Sequence, residues 1–380
     1  RLTMKKLLFI LVCLPLIGFG QVWEQIINSV SSGESIHQTN DGGYIITGDP
    51  NNNNIPLLKT DANGILEWQK SFNAYEGEGK VVNQTTDGGY IIFATDYDSP
   101  SEISIIKTDL FGNLEWERRY DGTVFDGQQT NDGGYILCAS ESSGGFIMKL
   151  DLDGYEEWRE NFQVYSVRQT IDQGYIAIGY NSLVKINENG NFEWSQPVGG
   201  ELVRQTQDQG FVAISQSSSN SVIVRKHNST GNEEWSQIFN GMGGEFYADD
   251  IEQTNDGGYV FVGMIDSLNG IESVSVNKIN NQGLLEWQRI FGSSYEDFGR
   301  SVEQTNDGGY IISGMTNDQL YIIKTNSQGT LTETIYIPIE TENKITKTIS
   351  LLGKETKPQT NIPFIEIYDD GTVEKRIVVE

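Results

Sequence analysis

A seven-residue phrase, Gln-Thr-x-Asp-Gly-Gly-Tyr, recurs along this chain and constrains its fold more than any other feature. The phrase begins at Gln38, Gln84, Gln129, Gln253 and Gln304, and degenerate copies begin at Gln169 and Gln205. The intervals run from 36 residues (Gln169 to Gln205) to 51 residues (Gln253 to Gln304). Such a period is typical of one four-stranded propeller blade, so seven copies predict seven blades.

A second phrase follows the first and completes the pattern of a blade. A Lys precedes a turn that contains Gly, and Glu-Trp comes next, as at Lys59, Gly64 and Trp68. Short runs rich in Ile, Val, Tyr and Phe lie between the turns and are typical of strands. Asp-Gly-Gly and Asn-Gly suit tight hairpins because Gly accepts a positive φ. We therefore expect an all-β chain whose residues 21–338 form a seven-bladed β-propeller of four-stranded blades.

The two ends of the repeat region indicate how the ring closes. Trp23 has no Gln-Thr phrase before it, whereas Gly329-Thr330-Leu331 occupies the last Glu-Trp region without a Trp. We predict that the N-terminal strand around Trp23 completes the seventh blade and covers an edge strand that would otherwise be open. In the alternative, residues 331–337 supply the fourth strand and Trp23 lies outside the blade.

Residues 1–20 have the pattern of a secretory signal peptide. A Met-Lys-Lys start at residue 4 precedes an apolar run over residues 7–19, and Gly20 suits cleavage before Gln21. The run is too short to span a bilayer comfortably, so we expect no transmembrane segment in the mature chain. The predicted location is secreted or at the outer-membrane cell surface.

Charge and the scarcity of Cys and His exclude several classes of function. Residues 1–20 contain three of the 26 basic residues and none of the 53 acids, so the mature chain has a net charge of about −30. Such a charge repels phosphate backbones, so we expect no nucleic-acid partner. Beyond residue 20 only Cys138, His37 and His227 remain, and they supply neither a disulfide nor a zinc site of ordinary spacing. No metal, cofactor or catalytic residue is assigned.

The repeated phrases, over roughly residues 21–338, resemble the repeats of secreted bacterial propellers whose functions are mostly unassigned. Their Gly-x-x-x-Trp part is also similar to the tryptophan-docking repeats of quinoprotein dehydrogenases. The blade count and the lack of paired cysteines differ from the enzymes of that second family. The resemblances therefore imply a secreted propeller and do not imply a quinone cofactor.

Residues 339–380 lack the Gln-Thr phrase and differ from the repeats. Three short strands are predicted, over residues 345–352, 364–368 and 372–379, and Asp369-Asp370-Gly371 joins the last two. This tail resembles the C-terminal sorting domains of type IX secretion in Bacteroidetes. The resemblance implies that residues 339–380 engage the secretion machinery and that the propeller is released or anchored at the cell surface.

Two repeated features have both a structural and a functional interpretation. Trp recurs at one place in each unit, so we expect it to fill gaps between blades rather than to stack on sugars. Changing Trp116 to Ala is then expected to cost about 3–5 kcal/mol. The segment from Asp151 to Gly154 resembles the start of a calcium loop but lacks the later ligands, so a hairpin turn is expected.

Function is expected where the units differ from one another. The loops between the second and third strands and between blades share the face opposite the Asp-Gly-Gly turns, and loops on a rigid scaffold often carry function. Two of the segments between blades combine aromatic and acidic residues. The predicted ligand-binding residues are Phe246, Tyr247, Asp249, Asp250, Tyr295, Glu296 and Asp297. The alternative is an ordinary solvated loop composition.

Three classes of function follow from these observations. A non-catalytic binding or adhesion module for a glycan or protein ligand is preferred, because it needs only the propeller, its varied face and the export signals. A secreted enzyme acting on glycans or alcohols is the alternative, and it requires carboxylates that converge in the central channel. A structural envelope protein is the third class.

Overall fold

The fold is known from a computed structural model, and among the residues that it describes every regular element is a β-strand. It describes residues 21–51, 53–97, 100–241, 244–266, 271–292, 295–331, 345–350, 356–357, 364–368 and 373–376. The predicted signal peptide lies outside these residues. Within them, no helix has the length and apolar character needed to cross a membrane. The chain divides into two compact units, Arg1–Thr332 and Glu333–Glu380.

The first unit contains seven antiparallel sheets of four strands each, which confirms the predicted seven-bladed propeller. The first strand of the chain is β1 (Trp23–Ile27). Blades 1 to 3 comprise β2 (Val30–Gln38), β3 (Tyr44–Pro50), β4 (Ile55–Thr60) and β5 (Leu66–Phe72); β6 (Gly77–Gln84), β7 (Tyr90–Asp96), β8 (Glu102–Thr108) and β9 (Leu114–Asp121); and β10 (Thr123–Gln129), β11 (Tyr135–Glu141), β12 (Gly144–Leu150) and β13 (Glu156–Glu160).

The remaining blades follow the same order of strands. Blades 4 to 6 comprise β14 (Ser166–Gln169), β15 (Tyr175–Ile178), β16 (Leu183–Ile186) and β17 (Phe192–Gln196); β18 (Leu202–Gln205), β19 (Phe211–Ser218), β20 (Ser221–His227) and β21 (Glu233–Asn240); and β22 (Phe246–Gln253), β23 (Tyr259–Asp266), β24 (Glu272–Ile279) and β25 (Leu285–Phe291). Blade 7 comprises β26 (Asp297–Gln304), β27 (Tyr310–Thr316), β28 (Gln319–Thr325) and β1.

The N-terminal strand closes the ring. β1 pairs antiparallel with β28, with Trp23 opposite Lys324 and Ile27 opposite Leu320. This pairing confirms the first of the two closures predicted from the sequence, because β1 occupies the fourth-strand place that residues 331–337 would have taken. The two ends of the propeller are therefore joined by main-chain hydrogen bonds, and β28 presents no open edge over this stretch.

The Asp that recurs in the turn of every copy accepts hydrogen bonds from within its own turn. In blade 1 the Oδ1 atom of Asp41 accepts hydrogen bonds from the Thr39 hydroxyl at 2.5 Å and from the Gly43 amide at 3.0 Å. The first Gly, Gly42, has a φ of 85°, which costs Gly little. In the two degenerate copies Gln173 and Gln209 adopt φ values of 70° and 65° at the same place.

The repeated Lys joins the two phrases of each unit. Lys59 is 2% exposed, and its ammonium lies 3.0 Å from the Asp41 carboxylate and 3.1 Å from the Glu67 carboxylate. It also donates to the Thr60 carbonyl at 2.9 Å. The same Lys–Asp–Glu arrangement recurs at Lys107, Lys149, Lys185, Lys226 and Lys278. A buried charge needs such partners, so the Asp-Gly-Gly and Glu-Trp phrases are parts of one ion cluster.

The repeated Trp fills the gap between neighbouring blades, as predicted. Trp23 in blade 7 packs edge-on against Tyr44 of blade 1, with ring centroids 5.8 Å apart. A Cβ on Gly64 would come within 2.5 Å of the Trp23 ring, so this turn needs Gly for close approach as well as for its φ. The other contacts are Trp68–Tyr90, Trp116–Tyr135, Trp158–Tyr175, Trp194–Phe211, Trp235–Tyr259 and Trp287–Tyr310.

The repeated Gln makes a second belt of contacts between blades. The side-chain oxygen of Gln38 accepts a hydrogen bond at 2.9 Å from the Asn306 amide, in the turn of blade 7. The corresponding pairs are Gln84–Asn40, Gln129–Thr86, Gln169–Asn131, Gln205–Ile171, Gln253–Gln207 and Gln304–Asn255. Each gap in the ring therefore has one such bond, which explains why Gln is kept in every copy of the phrase.

The Asp151 to Gly154 segment is the hairpin turn that the sequence predicted. The Asp151 carboxylate accepts hydrogen bonds from the amides of Asp153 and Tyr155 at 2.9 and 2.8 Å. The Gly154 amide donates to the Asp151 carbonyl at 3.1 Å. These bonds engage the first acid of the segment within its own turn.

The second unit contains a three-stranded antiparallel sheet of β29 (Ile345–Ser350), β30 (Phe364–Tyr368) and β31 (Val373–Arg376), in that order. These strands coincide with the three predicted in the tail. The predicted first and third strands extend to residues 352 and 379, which lie outside the described residues.

Candidate functional site

The first strands of the seven blades enclose a central channel. Each contacts the first strand of the next blade, in the order β2, β6, β10, β14, β18, β22, β26 and back to β2. The channel contains a cavity of about 780 Å³, which is within the range of roughly 300–1,000 Å³ typical of small-molecule sites. Side chains alternate along a strand, so every second residue of these strands faces the axis.

Each blade contributes one polar side chain to a ring around the channel, and six of the seven line this cavity, Glu303 being the exception. Each is the residue that immediately precedes the Gln of the repeated phrase. In blade order the members of this polar ring are His37, Asn83, Gln128, Arg168, Arg204, Glu252 and Glu303. The residue before each member is apolar or Gly and the residue after it is Gln, so the ring is a variable position between two that hardly change.

His37 and Glu303 pair in the polar ring, and the pair is an ion pair when His37 is protonated. Their Nδ1 and Oε2 atoms lie 3.3 Å apart, and the other nitrogen of His37 lies 2.9 Å from the Asn83 side-chain nitrogen. Burial lowers the pKa of His37, but the hydrogen bond and charge of Glu303, together with the charges of Glu252 and Asp250, outweigh burial and raise the pKa overall. The Glu303 carboxylate also accepts the Gln38 amide at 2.7 Å, so it holds blades 7 and 1 together.

The two arginines of the ring are paired with acids one layer deeper. Arg204 donates to Asp250 at 2.7 Å, and Arg168 forms an ion pair with Asp126. The Asp250 carboxylate also accepts the Val302 amide of the next blade at 3.1 Å. Asp126 makes the equivalent bond across blades 3 and 4. Both acids therefore join neighbouring blades while they neutralise the arginines.

Glu252 differs from the other charged members of the ring. It forms no ion pair within the part of the chain that the structure describes. Burial raises the pKa of Glu252 to about 7, and the negative charges of Glu303 and Asp250 raise it further than His37 and Arg204 lower it. The side-chain oxygen of Asn83, in the same ring, is buried and has no hydrogen-bond partner. The ring thus presents acceptors that the protein leaves unused.

A second group of charges lies at the end of the cavity nearest the variable loops. Arg300 donates to Asp249 at 2.8 Å, and its Nε atom lies 3.5 Å from the Glu34 carboxylate. Burial raises the pKa of Asp249 to about 6 in spite of the Arg300 charge. Lys80 also lines this end of the cavity.

Three carboxylates meet beside this end of the channel. Glu34, Asp49 and Glu78 place oxygen atoms within 4.8 Å of one another, and among the described residues they are the one such group of potential metal ligands. Burial, then the charges of Glu78 and Glu34, raise the pKa of Asp49 to about 7. Glu78 is ion-paired with Lys80 and accepts the Tyr97 hydroxyl at 2.6 Å. The group thus pairs a carboxyl with a raised pKa, Asp49, with a carboxyl whose pKa the neighbouring Lys80 lowers, Glu78.

The predicted ligand-binding residues fall into three environments. Asp249 and Asp250 line the cavity, and Tyr247 lies part-exposed on the same strand. Phe246 is 1% exposed in the core between blades 5 and 6, and Asp297 is 0% exposed.

The third environment is the surface, where Tyr295 and Glu296 are exposed just before β26. The expected inter-blade loops were too long, because residues 246–250 and 297–300 belong to β22 and β26. The inner strands of blades 6 and 7 begin at the loop face, seven residues before the Gln of the repeated phrase.

Sequence reasoning missed the polar ring. The signal was available, because the residue before the repeated Gln is polar in all seven units and has five different identities, while its immediate neighbours hardly change. His37, which the sequence analysis assigned to no site, lines the cavity. Its pairing with Glu303, 266 positions away in the chain, required the closed ring.

The fold and the channel define a seven-bladed β-propeller with a polar, mixed-charge axial cavity. No known protein family matches the sequence, and no curated protein does either.

Solved structures are similar in fold. YCF48 from Cyanidioschyzon merolae is 12% identical, with 79% of this chain and 98% of that chain covered and a TM-score of 0.54. BBS1N, solved in complex with ARL6DN, is 12% identical over 82% of this chain and 98% of that chain, with a TM-score of 0.52. A Bacteroides caccae protein of unknown function is 12% identical over 66% and 94%, with a TM-score of 0.48.

Proposed function

We propose that this protein is a non-catalytic binding module that is exported to the cell surface or secreted, and that it holds its ligand in the central channel. The observation that carries the proposal is the polar ring. The Trp, Gln, Lys and Asp positions repeat because each has the same structural task in every blade. The ring residues have no common task, yet each blade supplies a polar side chain there.

The charge of the channel also favours ligand binding over a purely structural role. The whole chain carries a net charge of −27, whereas the cavity lining brings together Lys80, Arg168, Arg204 and Arg300 with a similar number of acids. A concave cavity with several convergent polar groups is the usual form of a ligand site. A structural envelope protein has no need of such a lining.

Export belongs to the proposal on the strength of the two chain ends. Residues 1–20 have the signal-peptide pattern, and residues 339–380 resemble a type IX sorting domain that engages the secretion machinery. A binding module of Bacteroidetes type at the outer-membrane surface accounts for both ends. The strong negative charge then serves solubility outside the cell.

The proposal is tested by filling the channel. Purified wild-type protein is screened on a glycan array and against outer-membrane and host-surface protein extracts, with calcium and with chelator. Asn83→Trp places an indole in the cavity, and Ser195→Trp places the same group on the exposed outer strand of blade 4. We expect binding by wild type and by Ser195→Trp, and at least a tenfold loss in Asn83→Trp. Equal binding by both variants, or no binding by folded wild-type protein, contradicts the proposal.

A glycan-cleaving enzyme is the second candidate, because carboxylates do converge at the channel end. Asp49, with a pKa of about 7, and its neighbour Glu78 resemble the acid and base of a hydrolase in their split ionisation. The ion pair between Lys80 and Glu78 gives the same carboxylates a structural explanation. Release of reducing sugar from a polysaccharide panel by wild type, and its loss in Asp49→Asn, would establish the enzyme.

A further inference from the structure

We propose that the channel ligand carries an organic ammonium group and that Glu252 of the polar ring receives it. This inference rests on the proposed function, since it specifies the chemistry of a ligand bound in the same channel. Three of the charged pairs around the ring are complete: His37 with Glu303, Arg204 with Asp250, and Arg168 with Asp126. Glu252 is the charged ring member that these pairs leave over.

The surroundings of Glu252 favour a cation over a neutral ligand. The neighbouring blade 7 brings Glu303 and the same strand brings Asp250, two residues earlier, and the charges of both raise the pKa of Glu252. A half-buried carboxylate beside two other acids is stabilised most by a positive charge, because a neutral hydroxyl relieves none of the repulsion. The nearby basic groups, His37 and Arg204, are each held by another acid.

A second unused acceptor supports an ammonium donor. The Asn83 side-chain oxygen is buried without a hydrogen-bond partner, and Asn83 lines the same cavity as Glu252. An ammonium group has three N–H donors, so it suits a lining that offers acceptors. Buried polar atoms without partners are uncommon in folded proteins, and a bound donor accounts for this one.

The geometry argues for an organic cation rather than a metal ion. Metal ions need several ligand atoms within a few ångströms. Among the described residues the one group of three or more such side chains that meets this spacing is Glu34, Asp49 and Glu78, at the other end of the cavity. Glu252 belongs to no such group, whereas a cavity of about 780 Å³ accepts the body of an organic ligand.

The test uses probe pairs that differ by the ammonium group. Glucosamine is compared with glucose, and putrescine with 1,4-butanediol, by isothermal titration calorimetry on the full chain at pH 7. Glu252→Gln removes the charge at the site, and Glu188→Gln removes one charge from an exposed turn of blade 4. An ion-paired hydrogen bond is worth about 1.5–3 kcal/mol, so Glu252→Gln is expected to weaken amine binding roughly 10- to 100-fold. Glu188→Gln is expected to change it less than about twofold.

Proton release provides a readout that general electrostatic attraction would not produce. A bound cation lowers the pKa of Glu252 from about 7, so binding at pH 7 releases protons and the measured heat depends on the ionisation enthalpy of the buffer. Glu252→Gln should abolish the part of this dependence that belongs to Glu252, and Glu188→Gln should preserve it. A melting curve of Glu252→Gln that matches wild type shows that the fold is intact.

The outcomes separate this inference from the proposed function. Binding of glucosamine alone identifies an amino sugar, binding of putrescine alone identifies a polyamine, and binding of both identifies the ammonium as the determinant. If neither amine binds better than its neutral partner, or if Glu252→Gln binds as wild type does, the inference is wrong. The channel proposal still stands in that case if Asn83→Trp abolishes binding of another ligand.

Discussion

Trp23→Ala tests the claim that one short N-terminal strand closes the ring. The Trp23 ring contacts Tyr44 and Gly64 of blade 1 and donates to the Ala62 carbonyl at 3.2 Å. A fully buried Trp removes about 150–250 Å² from water, and Trp23 is only partly buried. Half of that area at about 25 cal/mol per Å² gives about 2–3 kcal/mol, and the aromatic pair adds about 1 kcal/mol. We expect a total loss of about 3–4 kcal/mol.

The matched control is Trp158→Ala, which removes an equivalent contact inside the chain. Trp158 packs against Tyr175 with ring centroids 5.7 Å apart, much as Trp23 packs against Tyr44. Urea unfolding followed by circular dichroism should therefore show similar losses in both variants. The two should differ in native-state hydrogen exchange, because only Trp23→Ala releases a terminal strand.

The decisive measurement is the exchange of the β28 amides that pair with β1. Without the Trp23 ring the five residues of β1 keep their main-chain bonds, the packing of Ile27 and the hydrogen bond from Tyr321 to Glu24, but they lose the contact with blade 1. The terminal strand is then held less firmly, so β28 should lose protection in Trp23→Ala and keep it in Trp158→Ala. Unchanged β28 protection together with a stability loss below about 1 kcal/mol would refute the closure by Trp23.

Three further predictions concern buried charges. Lys226→Met should lower the free energy of unfolding, measured in urea, by about 2–3 kcal/mol, because a hydrogen-bonded charge is lost. The Asp208 carboxylate, whose side chain is 60% exposed, stays solvated in the variant. A loss above about 5 kcal/mol would contradict this reasoning. Burial lowers the pKa of His227, so on acidification the unfolded chain binds the proton first and stability falls as pH drops below about 6.5. His227→Thr should reduce this loss of stability between pH 7.5 and pH 5 in thermal melts. An equal loss in wild type and variant would argue against the prediction. The pKa of Asp49 is raised to about 7, so stability is lost as pH rises from about 4 through 7. Asp49→Asn should therefore be more stable than wild type at pH 8 and only slightly different from it at pH 4. Asp151→Asn, in an exposed turn, is the control.

The sequence predicted the scaffold well because the scaffold residues do the same work in each blade. The Gln at 38 and its counterparts bond to the previous turn, and the Lys at 59 and its counterparts join two phrases. Repetition makes such roles visible without coordinates. The closure by Trp23 was also predictable, because one repeat lacked its final strand and one strand lacked its repeat.

The channel resisted prediction because its contacts join residues that are distant in sequence. Asp126 meets Arg168 in the next blade, and Glu303 meets His37 across the closure. Nothing local in either strand specifies these pairs, and with 53 acids in the chain accidental pairings outnumber real ones. Two of the predicted ligand-binding residues, Asp249 and Asp250, do line the cavity, because the inner strand of blade 6 begins several residues before the repeated phrase.

Repetition itself explains where a binding site is expected in such a protein. A residue between blades is constrained by two neighbouring units, so a change there disturbs a shared contact such as Trp23 with Tyr44. A residue in the polar ring faces the cavity, so it tolerates replacement as long as its charge is balanced. Arg168 and Arg204 satisfy that condition through Asp126 and Asp250. Glu252 does not satisfy it within the protein, and the physical argument for a cationic ligand rests on that difference.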